Sequence, residues 1–200
     1  MKNLFHIILF SLSASIVAQP NTKAAHMLPI MAKGYYLTIK GDTVKGEIQT
    51  NPENPTDIYN GFNFRVNDKA KLAAISSKKA KGYGFEGRHF IMVPFDQTKD
   101  VYIETLVHGR INFYEYRFND TKDGEPTITS NYYVQDTGAE EKDAELKELK
   151  PINTKFYKKE LKPYMKAQPS TWTDFDKFVF SKPVVVKAMQ DFNKYYEPQQ

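Results

Sequence analysis

The feature that most constrains the fold of this chain is the alternation of apolar and polar residues on both sides of Gly41-Asp42. Residues 34–40 and residues 43–49 each show the period of two that is typical of a half-buried β-strand. A two-residue turn at Gly41-Asp42 would pair the two strands with Leu37 opposite Gly46. This register places the apolar side chains of both strands on one face. We therefore expect an antiparallel hairpin at the start of the fold.

Further strand-like segments follow, and breaks rich in Asn, Asp and Gly separate them. The segments are residues 58–66, 73–76, 82–85, 89–94, 101–107, 111–118 and 127–135. Their connections are short, and hairpin turns are predicted at residues 108–110 and 119–124. Short connections favour an antiparallel meander from about residue 34 to residue 135, with one face packed and the other in contact with water.

The pattern becomes helical after residues 138–150. That highly charged segment is predicted to be mostly loop, with a short helix or an extension of the sheet as alternatives. Apolar residues recur at helical spacing from Asn153, a suitable N-cap, although Pro163 must distort or end that helix. Another short helix is expected at residues 174–180, where Phe and Val follow a polar stretch.

The last helix has the clearest signal, because Ser181 can cap it and an apolar stripe runs along one side. The stripe comprises Val185, Met189, Phe192 and Tyr196. The chain is thus predicted to be α+β. A single β-rich domain is expected over residues 34–200, in which two or three C-terminal helices (about residues 153–197) follow the sheet.

The first nineteen residues predict export. Lys2 precedes an apolar run of 14 residues from Leu4 to Val17, and Ala18-Gln19 is typical of a site cut by signal peptidase. The run is shorter than the about 20 residues that span a bilayer, which disfavours the alternative of an uncleaved anchor. We expect residues 1–18 to be a signal peptide, cleaved between Ala18 and Gln19, and residues 19–33 to be a flexible leader.

Composition limits what the exported chain can be. Because the chain contains no Cys, it has no site for lipoprotein acylation and no disulfide. After residue 17, no segment is apolar over enough residues to span a membrane. The 28 basic residues nearly balance the 24 acidic ones. Except for lysine clusters at 69–81 and 155–162, the basic residues are scattered along the chain, so no nucleic-acid partner is expected. The predicted location is the periplasm or the extracellular medium.

The hairpin sequence from Gly34 to Ile48 resembles a loose group of uncharacterised exported proteins from Bacteroidetes, in which a G-D-T-[VI]-x-G-x-I hairpin follows a signal peptide. Residues 101–114, with Gly109 before Ile111-Asn112-Phe113-Tyr114, resemble the later G-x-[IV]-x-[LF]-Y strand of that group. Residues 156–165 resemble a helix near its C-terminus. The resemblance implies secretion in a Gram-negative cell and a β-rich body with C-terminal helices. It implies no activity.

Motifs for cofactors and metals are weak. Gly82–Gly87 matches G-x-G-x-x-G, but a strand-like segment follows it, whereas dinucleotide binding needs a helix there. We interpret it as a hairpin. His26, His89 and His108 lack the spacing of metal ligands, so no metal or cofactor is expected. A nucleophilic site is equally unsupported, since Cys is absent and no Ser lies in G-x-S-x-G.

Two acidic residues leave one catalytic hypothesis open. Glu104 and Glu115 fall on neighbouring predicted strands and could face one another as a carboxylate pair for glycoside hydrolysis, or simply as structural groups. Phe, Tyr and Trp make up 14% of the chain, and they could form a stacking platform for sugars or peptides, or supply most of the core. Strand propensity favours the core.

The sequence favours a non-enzymatic binding or structural module of the bacterial envelope, with an envelope protein or polymer as its partner. The alternative is a carboxylate-based hydrolase of an envelope or extracellular polymer. A third possibility is a carrier with an apolar cavity inside a curved sheet. No stable membrane span is expected once the signal peptide is removed.

Overall fold

The computed structural model describes residues 28–95, 98–139, 145–165 and 177–196. One antiparallel sheet of ten strands dominates them. The strands are β1 (Ile30–Thr38), β2 (Thr43–Thr50), β3 (Phe62–Arg65), β4 (Ala73–Ile75), β5 (Ala80–Phe85), β6 (Arg88–Pro94), β7 (Asp100–Val107), β8 (Ile111–Lys122), β9 (Glu125–Asp136) and β10 (Lys150–Ile152). The helices are a 3₁₀ turn (Asp57–Tyr59), α1 (Tyr157–Leu161) and α2 (Lys182–Tyr196). The predicted β-rich α+β class is confirmed, although the helices are few and short. The signal peptide with Ala18 and Gln19 lies outside the described residues.

The sheet begins before the predicted start of the domain. β1 includes Ile30–Lys33, the last part of the predicted leader, because these residues pair with the end of β2. Ala32 lies opposite Ile48, and both side chains are buried. The fold therefore extends four residues further towards the N-terminus than the sequence pattern predicted.

The predicted register of the first hairpin is wrong. Gly46 lies opposite Gly34, and Leu37 lies opposite Thr43. The loop has three residues, not two: the Gly41 N–H donates to the Thr38 carbonyl at 2.9 Å, and the positive φ of Gly41 (101°) closes a type I turn with a bulge. The observed register differs from the predicted one by an odd number of residues. The even-numbered residues of β1, and not the odd-numbered ones, therefore lie on the same face as Ile48.

The sheet is not a simple meander, because β5 pairs with β1 and not with β4. The two meanders β1–β4 and β5–β10 meet along the β1–β5 pair. In a flat sheet β3 and β5 would lie about 14 Å apart, since β2 and β1 separate them. However, the rings of Phe62 on β3 and Tyr83 on β5 stack at 4.2 Å. The sheet is therefore strongly curled.

Two apolar cores follow from this curl. The first lies inside the curled part and includes Ile58 and Tyr59 of the 3₁₀ turn, which the Tyr83 hydroxyl holds by donating to the Ile58 carbonyl. The second lies between β7–β10 and the two α-helices. Its members include Phe113 from the sheet and Leu161 from α1.

The last helix forms where the apolar stripe predicted it. Val185, Met189 and Phe192 are fully buried against the sheet. The Asn193 side chain accepts a hydrogen bond from the Ile111 N–H and donates one to the Ile111 carbonyl, both at 2.8 Å. This pair of bonds fixes α2 on the start of β8.

Other predictions near the C-terminus need correction. The charged segment, predicted to be mostly loop, contributes Lys150 to β10, the tenth strand of the sheet. The helix expected from Asn153 is confined to α1, in keeping with Pro163. Residues 177–180 of the helix expected at residues 174–180 are not helical, and its first three residues lie outside the described residues.

The hairpin of β8 and β9 is longer than predicted. Its strands continue to Lys122 and restart at Glu125, with Asp123 and Gly124 at positive φ in a two-residue turn. The turn expected across residues 119–124 is thus narrower. None of the helices in the described ranges has the length and apolar character needed to cross a bilayer.

Candidate functional site

The sheet register places one row of side chains across six strands on the same face. Each residue in the row is the direct partner of the next. The row runs Tyr83, Phe90, Glu104, Glu115, Tyr132 and Ile152, from β5 to β10. The predicted juxtaposition of Glu104 and Glu115 is therefore confirmed.

Glu104 is held by Arg88 and Tyr59. Nε and Nη2 of Arg88 donate to the two carboxylate oxygens at 2.8 and 2.6 Å, and the Tyr59 hydroxyl donates at 2.9 Å. The Arg88 guanidinium also lies 4.9 Å from the centre of the Phe90 ring. Burial alone would raise the pKa of Glu104, but the hydrogen bonds and charge of Arg88 outweigh it and hold that pKa below its ordinary value. Glu104 is thus a stable carboxylate.

Glu115 has a different set of partners. It accepts hydrogen bonds from the Ser130 hydroxyl at 2.7 Å and from Lys182 Nζ at 3.0 Å, and its side chain is almost fully buried. Lys182 is the first residue of α2. The ion pair therefore ties the last helix to the middle of the sheet.

These contacts suit a structural role better than hydrolysis. A general acid needs a carboxyl group whose pKa is raised, whereas the pKa of Glu104 is lowered. Each carboxylate also has its own cation, Arg88 for Glu104 and Lys182 for Glu115. Four surface depressions among the described residues have neither carboxylate in their linings.

The remaining predicted motifs have structural explanations. Gly82–Gly87 spans β5 and its tight turn, and β6 begins at Arg88, so a strand follows the motif. His89 Nδ1 shares a hydrogen bond of 2.7 Å with the Tyr35 hydroxyl, and His108 is exposed between β7 and β8. Within the described ranges, no three His, Asp or Glu residues cluster closely enough to hold a metal ion. His26 lies outside those ranges.

A surface groove that combines apolar and basic side chains lies beside α1. Its volume is about 770 Å³, and Thr154–Lys159 and Phe178–Phe180 line it. We call it the α1 groove. Three large apolar side chains in its lining are exposed: Phe156 (60%), Phe178 (49%) and Val179 (87%).

Local contacts explain why these side chains point outwards. The Tyr157 hydroxyl donates to the Phe178 carbonyl, which fixes the backbone beside α1. The Phe180 ring packs against Tyr157 at 5.3 Å and against Tyr132 at 5.1 Å. Because Phe180 is directed towards the core, the preceding Val179 is left in solvent.

The groove is positively charged. Lys155, Lys158 and Lys159 all line it. The acidic residue of α1, Glu160, accepts a hydrogen bond from the Asn153 N–H at 2.6 Å. The groove therefore combines exposed apolar side chains with lysine ammonium groups.

The sequence shows the lysine and apolar residues of this groove, but it does not predict that they lie together. The lysine cluster at 155–162 is visible in the sequence, but the helical spacing from Asn153 and the helix expected at residues 174–180 place Phe156 and Phe178 within helices. A short helix that begins at Tyr157 leaves Phe156 outside it, at the N-cap. Among the aromatic residues, Tyr195 near the end of α2 is also exposed.

No protein-family model, no curated protein and no solved structure matches this chain. The resemblance to exported Bacteroidetes proteins stays a prediction. Function must be argued from the surface and the chemistry of the chain itself.

Proposed function

We propose that this chain is an exported, non-enzymatic binding module of the bacterial envelope, and that the α1 groove is where it holds its partner. The observation that carries the proposal is Phe156. It occupies the N-cap of α1, makes no side-chain capping bond and is 60% exposed.

Local stability does not explain a phenylalanine at this position. N-caps favour Ser, Thr, Asp and Asn, and an apolar residue there typically costs about 1 kcal/mol relative to them. Burial does not compensate, because most of the Phe156 side chain is in water. Residues that break a local rule without a structural gain are expected at functional sites.

The neighbouring residues support the same conclusion. Phe178 and Val179 add exposed apolar surface next to Phe156, and Tyr157 holds their backbone in place. These side chains line one groove together and are not scattered singly over the surface, and contiguous exposed apolar surface favours an interaction site. The signal-like residues 1–18 support an envelope location.

Site-specific crosslinking tests the proposal. A photoreactive phenylalanine would replace Phe178 in the exported chain, with the same group at Val66, which is also exposed, as the matched control. We expect crosslinks to an envelope component from position 178 but not from position 66. Excess unlabelled chain should suppress them, and F156S should weaken them.

Equal crosslinking from both positions, or none from position 178, would contradict the proposal. The alternative of a carboxylate hydrolase would instead require activity on envelope polymers that E104Q or E115Q abolishes in protein that remains folded.

A further inference from the structure

We infer that the α1 groove docks onto an anionic lipid surface, an inference that rests on the proposed function. The groove brings together the two groups that peripheral membrane binding requires. Exposed apolar side chains enter the boundary between head groups and acyl chains, and basic side chains meet the anionic head groups.

The type of cation favours lipid over protein. All three cations that line the groove are lysines. Protein interfaces are enriched in Arg and depleted in Lys, because the planar guanidinium gives directed, paired hydrogen bonds. A lipid surface needs no such geometry, since a lysine near it acts as a point charge.

The placement of the apolar residues also suits a surface. Val179 is 87% exposed and Phe156 is 60% exposed, so these side chains protrude and do not line a closed cavity. Lys155 directly precedes Phe156 and is also exposed. The lining of the α1 groove thus presents apolar and basic groups together.

The chain contains a matched control for the charge. Lys78 and Lys79 form an exposed pair in the turn before β5, and they belong to the other lysine cluster of the sequence. Neither of them lines the α1 groove. K155Q/K159Q and K78Q/K79Q therefore remove the same charge from two different surfaces.

The experiment is sedimentation of the exported chain with vesicles of phosphatidylcholine alone, or with about one third phosphatidylglycerol. We expect binding to the anionic vesicles that weakens with salt. K155Q/K159Q should lower the affinity about 5-fold for each lysine, whereas K78Q/K79Q should change it less than about 2-fold. F156S should lower it about 5-fold, and V66S should leave it unchanged.

Three outcomes would overturn the inference: equal binding to neutral vesicles, equal losses in the two double variants, or no binding to anionic vesicles. In the last case, envelope membranes separate the two claims. If the chain binds them through position 178 and protease treatment of the membranes abolishes binding, the partner is a protein and only the lipid inference fails. If crosslinking at position 178 also fails, the proposed function fails with it.

Discussion

The Glu104–Arg88 ion pair offers a sharp test of how much a half-buried charge pair stabilises the sheet. E104Q keeps the shape of the side chain but removes its charge, which leaves the Arg88 guanidinium without its carboxylate. The Tyr59 hydroxyl can still donate to the remaining amide oxygen. The main loss is therefore the ion pair with Arg88, whose bonds are 2.8 and 2.6 Å long.

The size of the loss follows from burial. Removing one partner of a buried ion pair costs about 3–5 kcal/mol of unfolding free energy. The Arg88 side chain is 33% exposed and the Glu104 side chain 13%, so water partly solvates the orphaned cation. We expect E104Q to lower the free energy of unfolding by about 2–3 kcal/mol near neutral pH.

Urea unfolding of the wild-type chain and E104Q measures this loss, with E148Q as the control. Glu148 pairs with Lys150 at 2.9 Å, and both side chains are exposed, so E148Q should cost less than about 1 kcal/mol. A loss in E104Q no larger than that in E148Q would refute the reasoning.

The pH dependence supplies a second check. Because folding lowers the pKa of Glu104, its stabilising contribution is fully present above the pKa of an unfolded glutamate, about 4.3. It is lost as the pH falls through the lowered pKa of the folded state. The difference between wild type and E104Q should therefore shrink below about pH 4. A difference that does not change with pH would contradict the lowered pKa.

Three further predictions concern the helix anchor, the first hairpin and export. In urea unfolding, N193L should lower the free energy of unfolding by about 2–4 kcal/mol, because it leaves both the N–H and the carbonyl of Ile111 unpaired. The control Q190L, on the exposed side of α2, should cost under about 0.5 kcal/mol. G46A should lower the melting temperature by several degrees more than G61A. A Cβ at Gly46 would collide with the Arg65 carbonyl and the Phe64 ring, while at Gly61 the nearest atom is 3.9 Å away. Equal melting temperatures of the two variants would count against close packing of β2 against β3. Mass spectrometry of the exported chain should find Gln19 at its N-terminus, and an intact Met1 would exclude cleavage.

The sequence predicted the elements of the fold better than their arrangement. Period-two alternation identified most strands, and the stripe from Val185 to Phe192 identified α2, because both patterns depend on which residues face a core. The hairpin register was wrong because Gly41 serves a three-residue loop as readily as a two-residue one. Local residues alone did not distinguish these turns.

Local sequence patterns did not predict the contacts between segments that are far apart in the chain. The pairing of β5 with β1 joins segments about 45 residues apart, and nothing in either segment specifies the other. The pairing of Glu104 with Glu115 was foreseen because they flank one short turn. Their cations were not, since Arg88 and Lys182 come from distant segments that only the folded sheet brings together.

The most direct test of the proposed binding role is hydrogen exchange of the exported chain with and without isolated envelope membranes. Binding at the α1 groove predicts slower exchange in residues 155–161 and 177–180, with little change around Glu104 and Glu115. Unchanged exchange at the groove, or protection that centres on the carboxylates, would contradict it.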